Sequence, residues 1–199
     1  MFISFEGIEG SGKSTQIGLW RTYLESHGHT VTVTREPGGT PFGQHIRSLL
    51  LDPKTTLADA RTELLLFTAD RLEHIASCIQ PALDQGHVVL CDRFVDSTYA
   101  YQLAGRKNTS ELVDFLADQL PLMPQTTILF DLPVDVGLSR AKSRAALDRF
   151  EQEDRAFHDA IRQYYLTRAT AEPNRFVVIN CDGLSSDAVF QKTRAQVKL

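Results

Sequence analysis

The 199-residue sequence predicts an α/β fold: a five-stranded, mainly parallel sheet with helices on both faces. Three observations carry that prediction: five short apolar runs of β type, helical hydrophobic spacing between them, and turn residues at the junctions. Parallel neighbours need crossover connections, and helices supply them. The first strand is 2–6, followed by a glycine-rich turn and a helix over 14–27 carrying Ile17, Leu19 and Leu24. Alternating Val and Thr make 30–34 the second strand, which runs into the turn Glu36-Pro37-Gly38-Gly39 and a loop. Apolar residues recur at helical spacing over 58–83, and Gly86 separates that helix from a third strand at 88–92 that ends in Asp92. Helical stretches at 97–104 and 110–120 lead to the fourth strand at 126–132. A helix over 134–144, a basic segment, a long helix to about 171, a strand at 175–180 and a helix over 185–197 complete the chain.

Residues 1–199 contain no Pro- or Ser-rich linker and read as a single domain. Hydrophobic residues at 42% and charged residues at 23% fit a soluble globular protein. A net charge of -4 lacks the strongly basic face that nucleic-acid binding requires, so no nucleic-acid partner is expected. Cys78, Cys91 and Cys181 are odd in number and widely spaced, which favours buried reduced thiols over disulfides or metal ligands. No apolar run approaches the ~20 residues of a membrane span, and the first residues read as a strand rather than a signal peptide. The expectation is a cytoplasmic protein with no membrane partner.

Gly7-Ile8-Glu9-Gly10-Ser11-Gly12-Lys13-Ser14 matches G-x-x-x-x-G-K-[ST], the phosphate loop, and lies between a predicted strand and a predicted helix. Its glycines let backbone N–H groups converge on phosphate oxygens, and the helix N-terminus adds favourable charge. The fold is therefore expected to be of the three-layer P-loop NTPase type. Gly7, Glu9, Gly10, Ser11, Gly12, Lys13, Ser14 and Thr15 form the expected ATP-binding loop, with Lys13 on the β- and γ-phosphates and Ser14 on Mg²⁺. Asp92, at a strand end, is the expected second magnesium group. Asp131 competes, but no basic residue adjoins it and a turn role is the better expectation. No N-K-x-D sequence is present to read guanine. At this length a small-molecule phosphotransferase is the best reading, although the loop alone does not decide it.

The phosphate loop, the stretch Thr34-Arg35-Glu36-Pro37-Gly38-Gly39-Thr40, residues 67–71, Asp92-Arg93-Phe94-x-x-Ser97-x-x-Ala100-Tyr101-Gln102 and Leu147-Asp148-Arg149-Phe150-Glu151 together resemble bacterial thymidylate kinases over nearly the whole chain. That resemblance implies transfer of the γ-phosphoryl group of ATP to dTMP, with Mg²⁺ as cofactor, in a homodimer. It implies a dTMP site formed by Glu9, Glu36, Pro37, Arg47, Phe67, Arg71, Arg93, Ser97, Thr98, Tyr101 and Gln102. Within it Phe67 stacks on thymine, Arg71 reads a carbonyl edge, Tyr101 packs beside the deoxyribose and Glu9 meets the sugar 3′-hydroxyl. Spacing agrees, since Phe67 and Arg71, like Thr98 and Gln102, stand four apart on predicted helices. Without the resemblance, Phe67 reads better as a core aromatic, and a core Tyr101 and an exposed loop Glu9 are the alternatives to their site roles.

Arg93 is expected to hold the acceptor phosphate through its planar fork. The phosphate loop carries no arginine, so charge on the moving phosphoryl group must be met elsewhere. A lid at about 140–151 offers Arg140 toward ATP and Arg144 and Arg149 toward the phosphoryl group. Lys13, Arg93, Arg144 and Arg149 make up the expected catalytic set, and Ser14, Asp92 and Glu151 the expected metal set. Three positions depart from the family's usual residues: Lys142 where Arg is frequent, Leu103 where Gly is common, and Phe94 in place of Tyr.

Overall fold

In the computed structural model, which describes residues 1–143 and 147–197, β1 (Phe2–Glu6) is the centre of the sheet. β2 (Val31–Arg35), β3 (Val88–Asp92), β4 (Thr126–Asp131) and β5 (Phe176–Asn180) join it in the order β2-β3-β1-β4-β5. Every pairing is parallel. The period-two pleat splits the strand residues between two cores. Ile3, Phe5, Val88, Leu90, Ile128 and Phe130 face α1 (Lys13–Ser26) and α9 (Ser186–Gln196), which contribute Ile17, Trp20, Leu24 and Val189. Trp20 is fully buried, and its indole N–H donates to Thr193 Oγ1 at 3.1 Å, so the one polar atom of that side chain is satisfied.

On the opposite face Phe2, Val89 and Cys91 pack against α3 (Ala60–His74), α4 (Gln80–Asp84), α5 (Val95–Thr98) and α6 (Ser110–Asp118). Leu129 and Phe176 pack against α8 (Arg155–Ala171) through Ile161, Tyr165 and Ala169. Two layers of helix thus cover both faces of one parallel sheet, as the alternation of strands and helices predicts.

Two elements differ from expectation. The helix predicted over 58–83 is interrupted by a π-helical turn, Ile75–Ile79, between α3 and α4. Pro81 gives the physical reason: it has no N–H to donate, and its ring crowds the carbonyl four residues back, so the ladder widens just before it. The loop predicted after the Pro-Gly-Gly turn is largely a helix, α2 (Pro41–Leu51). Thr40 caps it, accepting from Gly43 N at 2.9 Å, and Pro41 supplies the preset first residue, a start signal that hydrophobic spacing alone does not weigh. A π-helical segment, Tyr99–Gly105, also follows α5.

The turn after β2 is fastened to α3 by buried polar groups. The Glu36 carboxylate accepts from Arg71 Nε at 2.7 Å and from His74 Nδ1 at 2.9 Å, while His74 Nε2 lies 2.6 Å from Thr34 Oγ1. Gly38 N donates to Asp70 Oδ1 at 3.1 Å. The Glu36–Pro37 peptide bond within this turn is cis. Burial opposes a charge on His74, but the neighbouring Cys78 thiol and Glu36 carboxylate outweigh it and raise the imidazole to about 9.

The phosphate loop is seated on α7 (Val134–Lys142) by two glycines. A Cβ on Gly10 would stand 2.2 Å from Gly137 O, and a Cβ on Gly137 would stand 2.5 Å from Glu9 O. Both obstacles are backbone, so neither can move aside cheaply.

Two predictions follow from these contacts. Gly137→Ala should destabilise by about 1–3 kcal/mol, whereas Gly18→Ala, exposed within α1 and with open space around it, should stabilise by roughly 0.5–1 kcal/mol; opposite shifts of Tm check the pair. Because His74 is raised in the fold, its contribution is fully present below its unfolded value near 6.5 and is lost as pH rises through about 9. Denaturant titrations across that window should show stability falling in the parent and a flatter profile in His74→Gln.

Candidate active site

A cleft opens at the carboxyl ends of β1, β2 and β3, where ligands bind in open α/β sheets. The register sets Phe5 and Arg35 level with Asp92, so the loops leaving these strands face one another. Residues 7–12 form the loop between β1 and α1. Gly12, the cap residue of α1, has φ 96° and offers no side-chain cap, which leaves the first-turn N–H groups turned toward the cleft. Lys13 is 8% exposed, and its Nζ donates to Gly7 O and Ile8 O, each at 3.0 Å. Burial, then the nearby Arg93, lower it to about 8 against the pull of Asp92, Glu9 and Glu6.

Ser14 Oγ donates to Asp92 Oδ2 at 3.2 Å, and both residues line the cleft with Thr15 and Glu151. Such a hydroxyl and carboxylate fit Mg²⁺, which keeps most of its ligands as water and phosphate oxygen. Among the described residues no group of three His, Cys, Asp or Glu side chains forms a complete cage for a metal.

Arg93 is the junction of the cleft. Its φ of 70° lies in the left-handed region that a non-glycine residue seldom adopts, and it folds the side chain back over the phosphate loop. Nη1 donates to Gly7 O at 3.0 Å and to Ser97 Oγ and Tyr165 OH at 3.3 Å, and Nη2 donates to Glu9 Oε1 at 3.0 Å. Tyr101 OH also donates to Glu9 Oε1. Burial would raise the Glu9 carboxyl, but His158, Arg93, Lys13 and Tyr101 together hold it well below the usual carboxylate range.

The far end of the cleft is aromatic on one side and polar on the other. Phe67 and Tyr101 each approach Phe150, at ring separations of 6.0 and 5.8 Å. Arg71 lies over the Phe94 ring at 5.1 Å and donates to Glu36 and, at 2.8 Å, to Thr98 Oγ1. Gln102 Nε2 donates to Glu63 Oε1 at 3.1 Å. Arg47 Nη1 donates to Pro37 O at 2.9 Å, and burial together with the neighbouring Arg35 lowers its pKa. Two cations crowded at one rim favour an anion there. Every residue expected in the dTMP set lines this cleft.

Other expected residues lie elsewhere. Gly7 contributes its carbonyl to Lys13 and Arg93 rather than a wall of the cleft. Ser11 and Arg140 line a second cleft behind the loop, shared with Gln16 and Leu184, in which Arg140 Nη1 reaches Gly10 O at 3.5 Å. Arg149 turns from the main cleft: Nε donates to Leu50 O at 2.7 Å and Nη2 to Glu63 Oε2 at 2.6 Å. Arg144 lies outside the described residues. Asp131, which no basic residue adjoins in sequence, accepts two hydrogen bonds from Arg162, at 2.7 and 3.0 Å, supplied from α8. The cleft also recruits Arg35 and Phe150, which lie within the family-like motifs but outside the expected site set. The buried His158, for which the sequence carries no signal, stands behind the lining, 3.5 Å from Glu9 Oε2.

Comparison with known proteins points to one family. The thymidylate kinase family profile matches residues 5–191. A thymidylate kinase of Pseudomonas syringae pv. tomato is 52% identical over 182 residues, covering 90% of this chain and 87% of its own. One of Pseudomonas fluorescens is 51% identical over the same shares. The crystal structure of thymidylate kinase from Ehrlichia chaffeensis superposes with a TM-score of 0.79 at 35% identity, covering 98% of this chain and 97% of that one. With the strand order, the phosphate loop and an aromatic cleft facing it all in place, the chain belongs to the thymidylate kinase family.

Proposed function

We propose that this protein transfers the γ-phosphoryl group of ATP to dTMP, giving ADP and dTDP on the route to dTTP, within one domain that carries a lid at about 140–151. The observation that supports this best is the single cleft uniting Lys13, Ser14 and Asp92 with Phe67, Arg71, Tyr101 and Gln102, with Arg93 between the two groups. A phosphate loop alone would serve a switch or a motor equally well. The aromatic and arginine-lined half has use only if a second, ring-bearing substrate binds beside the triphosphate.

A dTMP phosphate oxygen attacks the γ-phosphorus in line, and the bond from that phosphorus to the β,γ-bridging oxygen breaks as ADP leaves. The acceptor phosphate is already a nucleophile near neutral pH, so no general base is needed. Lys13 holds the β- and γ-phosphates, and the N–H groups of Gly10, Ser11, Gly12, Ser14 and Thr15 surround the donor. Ser14, Asp92 and Glu151 would hold Mg²⁺ directly or through water, and the ion supplies charge neutralisation as the phosphoryl group moves. Arg93, with Arg47 and the turn at Glu36-Pro37, orients the acceptor phosphate. Phe67 stacks on thymine, Arg71, Ser97, Thr98 and Gln102 form its polar surround, Tyr101 crowds a 2′-hydroxyl, and Glu9 receives the 3′-hydroxyl.

Arg140 meets ATP from the second cleft, and Arg144 and Arg149 meet the charge that develops on closure, Arg149 by leaving Glu63. Exclusion of water by that closure protects ATP from hydrolysis. A homodimer fits the apolar Phe42 and Leu49 of α2 and Leu65 and Leu72 of α3, all exposed on adjacent helices. The cytoplasm is the compartment we assign; among the described residues no helix is long and apolar enough to cross a membrane.

In a coupled ADP-release assay with Mg²⁺-ATP, dTMP should drive turnover strongly and dUMP weakly, while dCMP, dGMP and thymidine should not. ATP binding without turnover on any acceptor would remove the acceptor-site reading. Arg144→Ala and Arg149→Ala should lower kcat, by up to about 10³-fold, far more than they weaken dTMP binding. Equal losses in turnover and dTMP affinity would instead dismiss the lid roles.

A further inference from the structure

Three buried polar atoms without hydrogen-bond partners meet beneath the cleft: Glu9 Oε2 and both ring nitrogens of His158. His158 lies in the first turn of α8 and is 0% exposed, with its ring edge against Phe157. Its Nδ1 stands 3.5 Å from Glu9 Oε2, while the other carboxylate oxygen already accepts from Arg93 and Tyr101. A buried carboxylate oxygen without a donor is costly, and so is a buried ring N–H without an acceptor. Here each is the nearest remedy for the other. Arg93 and Tyr101 fix Glu9 from the cleft side, and only the α8 side remains open.

We propose that His158 is a positioning residue for substrate binding, its Nδ1–H donating to Glu9 Oε2 so that the carboxylate is clamped from both sides while one of its acceptor directions stays open to the acceptor sugar. A carboxylate has about four acceptor directions. Arg93 and Tyr101 take both directions of Oε1 and His158 takes one of Oε2, which leaves one direction for a hydroxyl donor. The inference rests on the reading above that Glu9 receives the 3′-hydroxyl of dTMP.

The test pairs variants with two acceptors, dTMP and dTMP lacking its 3′-hydroxyl. His158→Phe removes the donor, His158→Asn keeps a side-chain N–H near the place of Nδ1, and His158→Gln keeps polarity but moves its N–H to the place of Nε2. His158→Phe and His158→Gln should raise KM for dTMP about tenfold, leave KM for ATP unchanged and lower kcat little, and His158→Asn should restore most of the loss. None should matter for the 3′-deoxy acceptor. Gln and Asn at one position keep the comparison valid even where Phe fails to fold. Glu9→Gln in the same assay separates the two layers of the argument. If Glu9→Gln distinguishes the acceptors and the His158 variants do not, the positioning role alone is overturned; if Glu9→Gln does not distinguish them, the reading of Glu9 falls and this inference with it.

Discussion

One guanidinium, that of Arg93, is the tie on which the geometry of the cleft depends. It joins the loop after β3 to the carbonyl of Gly7 in the phosphate loop, to the carboxylate of Glu9 and to the hydroxyls of Ser97 and Tyr165. Three segments far apart in sequence, represented by residues 7–9, 93–97 and 165, therefore converge on one planar cation. The unfavourable backbone at Arg93 makes this reach possible, at a cost of about 1–3 kcal/mol that the surrounding contacts offset. An arginine suits the place because its charge is fixed and its donors point in set directions, where a lysine would supply neither.

Behind that tie lie two buried carboxylates with opposite fates. Burial pushes both upward, but Arg175 and Arg168 overturn it for Asp96 and keep that group ionised. Glu6 faces Asp96, and burial together with that like charge raises it to about 7. Its oxygens nevertheless accept from Phe94 N, Ser97 Oγ and Tyr165 OH at 2.7 to 2.8 Å, and so hold the chain that follows Arg93. The cleft floor is thus a set of hydrogen-bonded charges rather than an apolar core. Glu6 and Asp96 each have their partners already in place, which holds them in one arrangement.

Much of this was legible in the chain. The short apolar runs at 2–6 and 88–92 marked strands of a sheet covered on both faces, and the phosphate loop announced itself by spacing and flanks. What stayed hidden was whatever depends on distant contacts. Hydrophobic period cannot show that Arg162 will reach Asp131, or that Arg149 will settle on Glu63. A lone His within a helical pattern gives no sign that it will end beside Glu9. Helix α2 was missed for a different reason: its start is written in capping chemistry at Thr40 and Pro41 rather than in periodicity.

The mutual seating of Gly10 and Gly137 has a consequence for recognising such enzymes. Gly137 stands in no phosphate-loop pattern, yet it faces the loop backbone so closely that no change in a side chain elsewhere can make room for a Cβ. The effective motif is therefore discontinuous, with one of its letters more than a hundred residues downstream of the rest. A drifting or recombined chain could retain all eight signature positions, pass every scan for them, and have lost the surface on which they rest.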